Sequence, residues 1–249
     1  MRDSQLYQSI STTYDTIRRE DERVARRIHD AVGDAERVIN VGAGTGNYEP
    51  RDRPVVAVEP SSDMIAKRRP GAAPSVQAIA EALPFGSGVF DAAMASLTLH
   101  HWRDRQRGLA EMRRVARRQV LFLFDPVETY RFWAIDYWPT ALELPSEQDL
   151  PSPTDLGEIL DVVAVEVVPV PFDCTDGFGA AFWGRPEAYL EPDVQQGMSW
   201  LAQLPDEELA AGAARLRADL DSGRWDERNG HLRHLPELDV GYRLVIAGS

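Results

Sequence analysis

Short apolar runs alternate with amphipathic stretches through the first half of the chain. In residues 21–32, Val24, Ile28 and Val32 recur every four positions, which predicts a helix with one buried face. Residues 109–115 predict a second helix of this kind. Strands are predicted in residues 37–42, 55–59, 76–80, 90–97 and 119–125. Because strands that alternate with helices form parallel sheets, this half predicts an α/β fold.

The pattern changes after Pro126. Residues 127–145 are crowded with aromatic side chains, and five of the six tryptophans lie beyond this point. Helix signals include residues 209–220, and two further strands are predicted in residues 162–172 and 239–247. No linker separates independent parts, so we expect a single domain in which the aromatic segments are insertions on one sheet.

A glycine-rich turn, Gly42-Ala43-Gly44-Thr45-Gly46, directly follows the first predicted strand. Glycines let the backbone approach a ligand without an intervening Cβ. The next strand ends at Glu59, where an acidic side chain can accept hydrogen bonds from ribose hydroxyls. Residues 61–65 can then cap and begin a helix. Strand, turn, strand and acid together indicate a nucleoside cofactor, although the turn alone also fits a tight structural loop.

The glycine spacing differs from the G-x-G-x-x-G of dinucleotide-binding turns, which argues against a nicotinamide dehydrogenase. The sequence instead resembles the class I S-adenosylmethionine-dependent methyltransferases, in their small-molecule type 11 branch. The motifs that carry the resemblance are Val-Gly-Ala-Gly-Thr-Gly (41–46), Val-Ala-Val-Glu-Pro-Ser (56–61), Ala-Glu-Ala-Leu-Pro-Phe (80–85), Phe-Asp-Ala-Ala (90–93), Leu-His-His-Trp (99–102) and Glu-Met-Arg-Arg-Val (111–115).

The resemblance implies a doubly wound, Rossmann-like sheet of seven mostly parallel strands. It also implies an antiparallel last strand and a helical, aromatic cap. Residues 1–249 then form one domain. Its expected parts are an N-terminal helical lid (1–36), a cofactor-binding core (37–126), cap insertions (127–161 and 173–238) and the final strand (239–247).

The resemblance further implies a set of residues that bind S-adenosylmethionine, with S-adenosylhomocysteine as the product. In this set Glu59 holds the ribose hydroxyls, and Pro60 and Met64 flank the adenine. Arg18 pairs with the cofactor carboxylate, for which a solvated helix charge is the alternative. The full set is Tyr14, Arg18, Gly42, Ala43, Gly44, Gly46, Glu59, Pro60, Met64, Ala80, Glu81, Ala82, Ser96 and Leu97.

Two positions depart from the family pattern. Asn40 stands where the family has an acidic residue before the glycine turn, and residues 116–118 replace a proline–glycine turn before the fifth strand. These departures leave room for an alternative, a methyltransferase-like protein that binds the cofactor or a partner without catalysis.

Methyl transfer from a sulfonium is an in-line displacement, and a hydroxyl acceptor benefits from a base of near-neutral pKa. His100 and His101 follow the fourth predicted strand, and Asp125 follows the fifth. We expect at least one histidine to face the acceptor with Asp125 nearby, the alternative for each histidine being packing within its loop. No metal site is expected, although His231 and His234 are spaced i, i+3. Cys174 is expected to be inert.

Charge narrows the candidate partners. The net charge is −13, with +2 in residues 1–126 and −15 in residues 127–249. An acidic chain is a poor ligand for nucleic acid or anionic membranes, and the acidic half favours neutral or basic acceptors. We expect a cytoplasmic enzyme that methylates a small molecule with an aromatic or apolar body, with O-methylation in secondary metabolism ahead of N- or C-methylation. The oligomeric state stays open.

Overall fold

The structure is a computed structural model that describes residues 17–129 and 131–248. The described residues form two compact units. The larger unit comprises residues 22–125, 150–168 and 241–248. The smaller unit comprises the remaining described residues, 17–21, 126–149 and 169–240.

Nine strands occur in the described residues. They are β1 (Val38–Val41), β2 (Val55–Val58), β3 (Ser75–Val76), β4 (Phe90–Ser96), β5 (Ala116–Phe124), β6 (Val162–Val167), β7 (Val170–Pro171), β8 (Glu237–Leu238) and β9 (Tyr242–Gly248).

The same residues contain ten α-helices and five 3-10 helices. The α-helices are α1 (Glu22–Val32), α2 (Ser62–Ala66), α3 (Arg105–Val115), α4 (Pro126–Thr129), α5 (Pro145–Gln148), α6 (Pro153–Leu156), α7 (Pro192–Gly197), α8 (Ser199–Ala202), α9 (Asp206–Asp221) and α10 (Arg224–Asn229). The 3-10 helices are Leu99–His101, Trp133–Asp136, Pro139–Glu143, Pro186–Leu190 and Gly230–His234.

Seven strands of the larger unit form one sheet in the order β3-β2-β1-β4-β5-β9-β6. Neighbours from β3 to β5 run parallel, with Asn40 opposite Met94 and Ser96 opposite Phe122. Strand β9 lies between β5 and β6 and is antiparallel to both. The predicted fold, a mostly parallel seven-stranded sheet with an antiparallel last strand, is confirmed.

The central strands β1, β4 and β9 are buried on both faces, as their mostly apolar sequences require. The edge strand β6 is more open, and its Val163, Val165 and Val167 are exposed. Helix α1 turns Val24, Ile28 and Val32 inward and packs against β5 and β9. Helix α3 packs against β4 and β5, and its buried Leu109 and Met112 join a core cluster that reaches across the sheet.

Several strand bounds differ from the predictions. Strand β3 ends at Val76 instead of residue 80, and β5 begins at Ala116, directly after α3. The chain therefore passes from helix to strand without the family's turn. The predicted strand 162–172 is divided, because β6 ends at Val167 and Val170–Pro171 pairs with β8 in the smaller unit.

The smaller unit is built of short helices around an aromatic core. Tyr189 is fully buried, with the ring of Trp133 at 5.3 Å between centroids. The indole N–H of Trp133 donates to the Trp183 carbonyl at 2.8 Å, and that of Trp138 donates to the Leu209 carbonyl at 3.1 Å. Satisfied indole donors and edge-to-face rings are typical of a packed interior. These aromatic side chains therefore form the packed core of the smaller unit.

Candidate active site

The candidate site lies at the carboxyl edge of the parallel strands. Strand order reverses between β1 and β4, because β2 and β3 continue to one side of β1 and β4 and β5 to the other. Ligands of open α/β sheets bind at such a reversal, outside the strand ends. The turn after β1 and the segments after β2, β4 and β5 carry most of the predicted site residues.

The turn after β1 is held to the end of β2 by backbone hydrogen bonds. The N–H groups of Gly42 and Ala43 both donate to the Val58 carbonyl, at 2.8 and 3.0 Å. Gly42 has φ +72°, and a Cβ there would lie 2.2 Å from the Thr98 hydroxyl oxygen. Only glycine fits this position. Thr98 is a site residue that the sequence patterns did not reveal.

Glu59 is buried at the end of β2 and is oriented by two backbone donors. Its Oε2 accepts from the Gly44 N–H at 2.8 Å, and its Oε1 accepts from the Ser61 N–H at 2.9 Å. Burial raises the pKa of Glu59 above its ordinary value, against the opposing effects of these hydrogen bonds and the Arg68 charge. Each carboxylate oxygen keeps a lone pair, so both can still accept from hydroxyl groups.

Two charged residues missed by the sequence patterns support this turn. Arg68 pairs with Glu49 at 2.7 Å and donates to the Gly44 carbonyl at 3.1 Å. Asn40 donates to Glu49 at 3.1 Å. Arg68 and Gly44 are 24 residues apart, and no local pattern links them.

The residues predicted around the adenine occupy the segments after β2 and β3. Ser61 caps α2 by accepting from the Met64 N–H, and Met64 is buried. Pro60 is exposed. Ala80 is buried and Ala82 is exposed.

Glu81 is buried, and its carboxylate accepts from the Asp104 N–H at 3.1 Å, just before α3. This carboxylate therefore already orients the start of that helix.

Ser96 ends β4 and Leu97 follows it, the first with an unusual side-chain environment and the second with an unusual backbone conformation. Leu97 has φ +52°, which is rare for a residue with a Cβ. The Ser96 hydroxyl oxygen is buried and has no hydrogen-bond partner among residues 17–129 and 131–248. An unpaired buried hydroxyl at a strand end is a ready donor or acceptor for a ligand.

The candidate bases follow β4 and β5. His100 and His101 lie on the 3-10 helix Leu99–His101, with ring centroids 3.9 Å apart. Asp125 follows β5, and its carboxylate lies 3.9 Å from the Arg243 guanidinium. Because β4 and β5 are parallel neighbours, all three candidates belong to the same edge of the sheet.

Two predicted cofactor residues precede the larger unit in the chain. Tyr14 lies outside the described residues. Arg18 belongs to the smaller unit, where its Nε donates to the fully buried Asp176 at 2.7 Å. Its role toward the cofactor stays a prediction.

No group of three or more His, Cys, Asp or Glu side chains in the described ranges could hold a metal ion. Cys174 is buried, and burial raises the pKa of its thiol to about 12. Among the described residues, no helix is long and apolar enough to cross a membrane.

Comparison with known proteins now identifies the family. A family model described as a methyltransferase domain matches residues 39–124. A solved structure assigned as a methyltransferase from an antibiotic biosynthesis pathway of Anabaena variabilis is 30% identical. Its match covers 94% of this chain and 100% of that one, with a TM-score of 0.84. The chain belongs to the class I S-adenosylmethionine-dependent methyltransferases.

Two further proteins resemble this chain, one in part of its sequence and the other in its fold alone. A demethylmenaquinone methyltransferase of Renibacterium salmoninarum is 37% identical over 103 residues. That match covers 38% of this methyltransferase and 44% of the relative, so it spans less than half of the relative's length. The cyclase SpnF shares the fold, with a TM-score of 0.58 at 16% identity over 100% of this chain and 96% of that one.

The strand edge fits S-adenosylmethionine, the cofactor of the family. Position 42 of the turn admits no side chain, and Glu59 offers two oriented oxygens with acceptor capacity left. The Ser96 hydroxyl adds an unpaired polar atom at the neighbouring strand end. A turn without a Cβ at residue 42, a carboxylate with acceptor capacity left and an unpaired hydroxyl suit a nucleoside that carries an amino acid.

Proposed function

We propose that the protein transfers the methyl group of S-adenosylmethionine to a hydroxyl of a small molecule. The observation that carries the proposal is the turn after β1, whose Gly44 N–H orients the buried Glu59 at the end of β2. When bound, the cofactor supplies an electrophilic methyl group on a sulfonium. The chain supplies alignment of the reactants and exclusion of water.

In this proposal Glu59 accepts hydrogen bonds from the ribose hydroxyls. Gly42, Ala43, Gly44 and Gly46 support the ribose and methionine. The predicted adenine contacts are Pro60, Met64, Ala80, Glu81 and Ala82, and the predicted methionine contacts are Tyr14, Arg18, Ser96 and Leu97.

His100 and His101 are the proposed bases for the acceptor hydroxyl. Their place directly after β4, beside the strand that ends at Asp125, supports this role. A neutral imidazole there would accept the hydroxyl proton while the methyl group passes from the cofactor sulfur to the oxygen, with S-adenosylhomocysteine as the leaving group. Asp125 would stabilise the resulting imidazolium by its charge.

The acceptor is proposed to be a neutral or basic molecule with an aromatic or apolar body, within secondary metabolism. The net charge of −15 in residues 127–249 disfavours polyanionic acceptors. The pathway named for the Anabaena variabilis protein and the methyl acceptor named for the Renibacterium salmoninarum protein both support a small acceptor. We propose a cytoplasmic location, with neither nucleic acid nor a membrane as a partner.

The alternative is a cofactor-binding protein without catalysis, which Asn40 and the missing turn at 116–118 suggested. The described contacts weaken that argument. Glu49 brings a carboxylate to within 3.1 Å of Asn40, and β5 continues directly from α3 without loss of the sheet.

Two measurements test the proposal. Calorimetric titration should detect binding of S-adenosylhomocysteine and no binding of NAD. Binding of NAD alone would overturn the cofactor assignment. A labelled-methyl assay over phenols, alcohols, indoles and amines should give products chiefly with hydroxyl acceptors.

The same assay tests the proposed general base. Loss of turnover in His100→Ala or His101→Ala, against unchanged turnover in His231→Ala and His234→Ala, would support a histidine of the Leu99–His101 helix as that base. Full turnover in the double variant His100→Ala, His101→Ala would rule out both histidines as the base.

A further inference from the structure

Arg68 and Glu49 form a buried ion pair beside the glycine turn. The Arg68 Nη2 lies 2.7 Å from each carboxylate oxygen of Glu49, and the two side chains are only 6% and 5% exposed. Ions removed from water lose hydration, so a buried pair persists only where further hydrogen bonds compensate. For this pair, the further partners are the backbone of Gly44 and Ala73 and the side chain of Asn40.

The Arg68 guanidinium binds the turn itself. Its Nη1 donates to the Gly44 carbonyl at 3.1 Å, and its Nη2 also donates to the Ala73 carbonyl at 3.0 Å. The Gly44 N–H, in turn, donates to Glu59. Gly44 is therefore held on both sides, at its N–H by Glu59 and at its carbonyl by Arg68. Its φ of +51° is fixed between these two bonds.

Glu49 is held by donors from three parts of the chain. Besides Arg68, it accepts from the Asn40 side chain at the end of β1 and from the Ala73 N–H at 3.2 Å. Gly46 leaves space for the pair, because a Cβ there would lie 3.1 Å from Glu49 Oε2 and 3.3 Å from Arg68 Nη2. The network thus joins β1, the turn and the segment before β3.

We propose that Arg68 and Glu49 are positioning residues of the cofactor site. The pair fixes the Gly44 carbonyl, and with it the conformation about the Gly44 Cα. This conformation sets the direction of the preceding Ala43–Gly44 peptide, whose N–H orients Glu59. Arg68 contributes a second effect, since its charge favours the ionised form of Glu59 against the effect of burial. This inference rests on the proposed function, because it concerns the same cofactor site.

Arg53 provides a matched control. Its guanidinium also donates to two backbone carbonyls, those of Gly33 and Ala35, at 2.6 and 2.9 Å, and it pairs with Asp52. Gly33 and Ala35 precede β1, and Asp52 and Arg53 precede β2, so these contacts lie at the amino edge of the parallel strands. Loss of Arg53 therefore removes similar bonds without touching the glycine turn.

The test compares S-adenosylhomocysteine affinity by calorimetry at a temperature where each variant is folded. Arg68→Met should raise the Kd at least tenfold. The Kd of Arg68→Lys should lie between those of the wild type and Arg68→Met, because one ammonium group cannot make all the hydrogen bonds of a planar guanidinium. Arg53→Met should stay within threefold of the wild type while its melting temperature falls. A folded Arg68→Met that binds within threefold of the wild type would overturn the positioning role.

A double-mutant cycle separates positioning from general destabilisation. If Arg68 acts through Gly44 and Glu59, the effects of Arg68→Met and Glu59→Gln on Kd should be clearly less than additive. The Arg53→Met and Glu59→Gln effects should add. If Arg68→Met does not fold, the cycle is run with Arg68→Lys and with Glu49→Gln, and additivity in both would contradict the inference. A wild-type protein that fails to bind S-adenosylhomocysteine would instead refute the proposed function.

Discussion

Gly42 lies directly against Thr98, so that a Cβ on residue 42 would stand 2.2 Å from the threonine hydroxyl oxygen and 2.8 Å from its methyl carbon. This approach joins the turn after β1 to the segment after β4, the two strands between which the sheet order reverses. The carboxyl edge of the parallel strands is therefore closely packed between β1 and β4, and this packing requires that residue 42 has no side chain.

Gly42→Ala should destabilise the fold and weaken S-adenosylhomocysteine binding. The substitution adds a steric conflict with Thr98 to the strain of φ +72° at a residue with a Cβ. We expect a loss of about 2–4 kcal/mol in the free energy of unfolding. Denaturant titration and calorimetry measure the two effects.

Gly71→Ala is the control for backbone strain alone, because Gly71 has φ +86° and nothing lies within 4 Å of a Cβ there. It should cost about 1 kcal/mol and leave cofactor affinity unchanged. Adding Thr98→Ala to Gly42→Ala should recover part of the stability. If Gly42→Ala and Gly71→Ala lose equal stability, the contact with Thr98 is not limiting.

Glu59→Gln should raise the Kd for S-adenosylhomocysteine about 10- to 100-fold. The glutamine loses the charge that ribose hydroxyls favour, a difference of about 1.5–3 kcal/mol. Its amide also presents an N–H₂ group to one of the two backbone donors, Gly44 or Ser61, that now meet a carboxylate oxygen. Glu36→Gln, at an exposed position before β1, should bind as the wild type does. Equal affinities for the two variants would overturn the ribose assignment.

Glu147 should make the stability of the protein depend on pH near neutrality. Burial raises the pKa of this carboxyl to about 7 from its ordinary 4.5. The folded state then holds a proton that the unfolded state has released, so stability should fall as pH rises from about 4.5 through 7. Relative to the wild type, Glu147→Gln should gain on the order of 1–3 kcal/mol at pH 8 and little at pH 4.5.

Thermal unfolding of the wild type, Glu147→Gln and Glu143→Gln across this pH range measures the effect. Glu143 is exposed, and its replacement should leave the pH dependence as it is in the wild type. A wild-type pH profile that Glu147→Gln does not flatten would refute the shifted pKa.

Cys174 should resist thiol reagents in the folded protein. It is the only cysteine of the chain, is 2% exposed, and has a pKa raised to about 12 by burial. Since the thiolate is the reactive form, modification at pH 8 should run about a thousandfold slower than for an ordinary cysteine. Rapid labelling without denaturant, at the rate seen in 6 M guanidinium, would contradict the burial of the smaller unit's core.

The elements that could be predicted from sequence are those whose signals are local. Helix α1 follows from the four-residue spacing of Val24, Ile28 and Val32, and the start of α2 follows from a serine cap. The glycine turn and Glu59 were predicted because flanking strands bring them to one edge. Strand bounds were less accurate at β3 and β6, where pairing with a neighbouring strand decides the length.

Local patterns along the chain predicted the sheet class, the glycine turn after β1 and the residues at the strand ends, because neighbouring positions carry that information. Three contacts became visible only in the folded structure: Arg68 with the Gly44 carbonyl, Thr98 with the Cα of Gly42, and Asp176 with Arg18. Arg68 and Gly44 are 24 positions apart in the chain, and Arg18 and Asp176 are 158 positions apart. The packing of whole helices and strands determines which distant side chains come into contact. Hydrophobic periodicity and motif spacing are local patterns, so they do not predict these contacts.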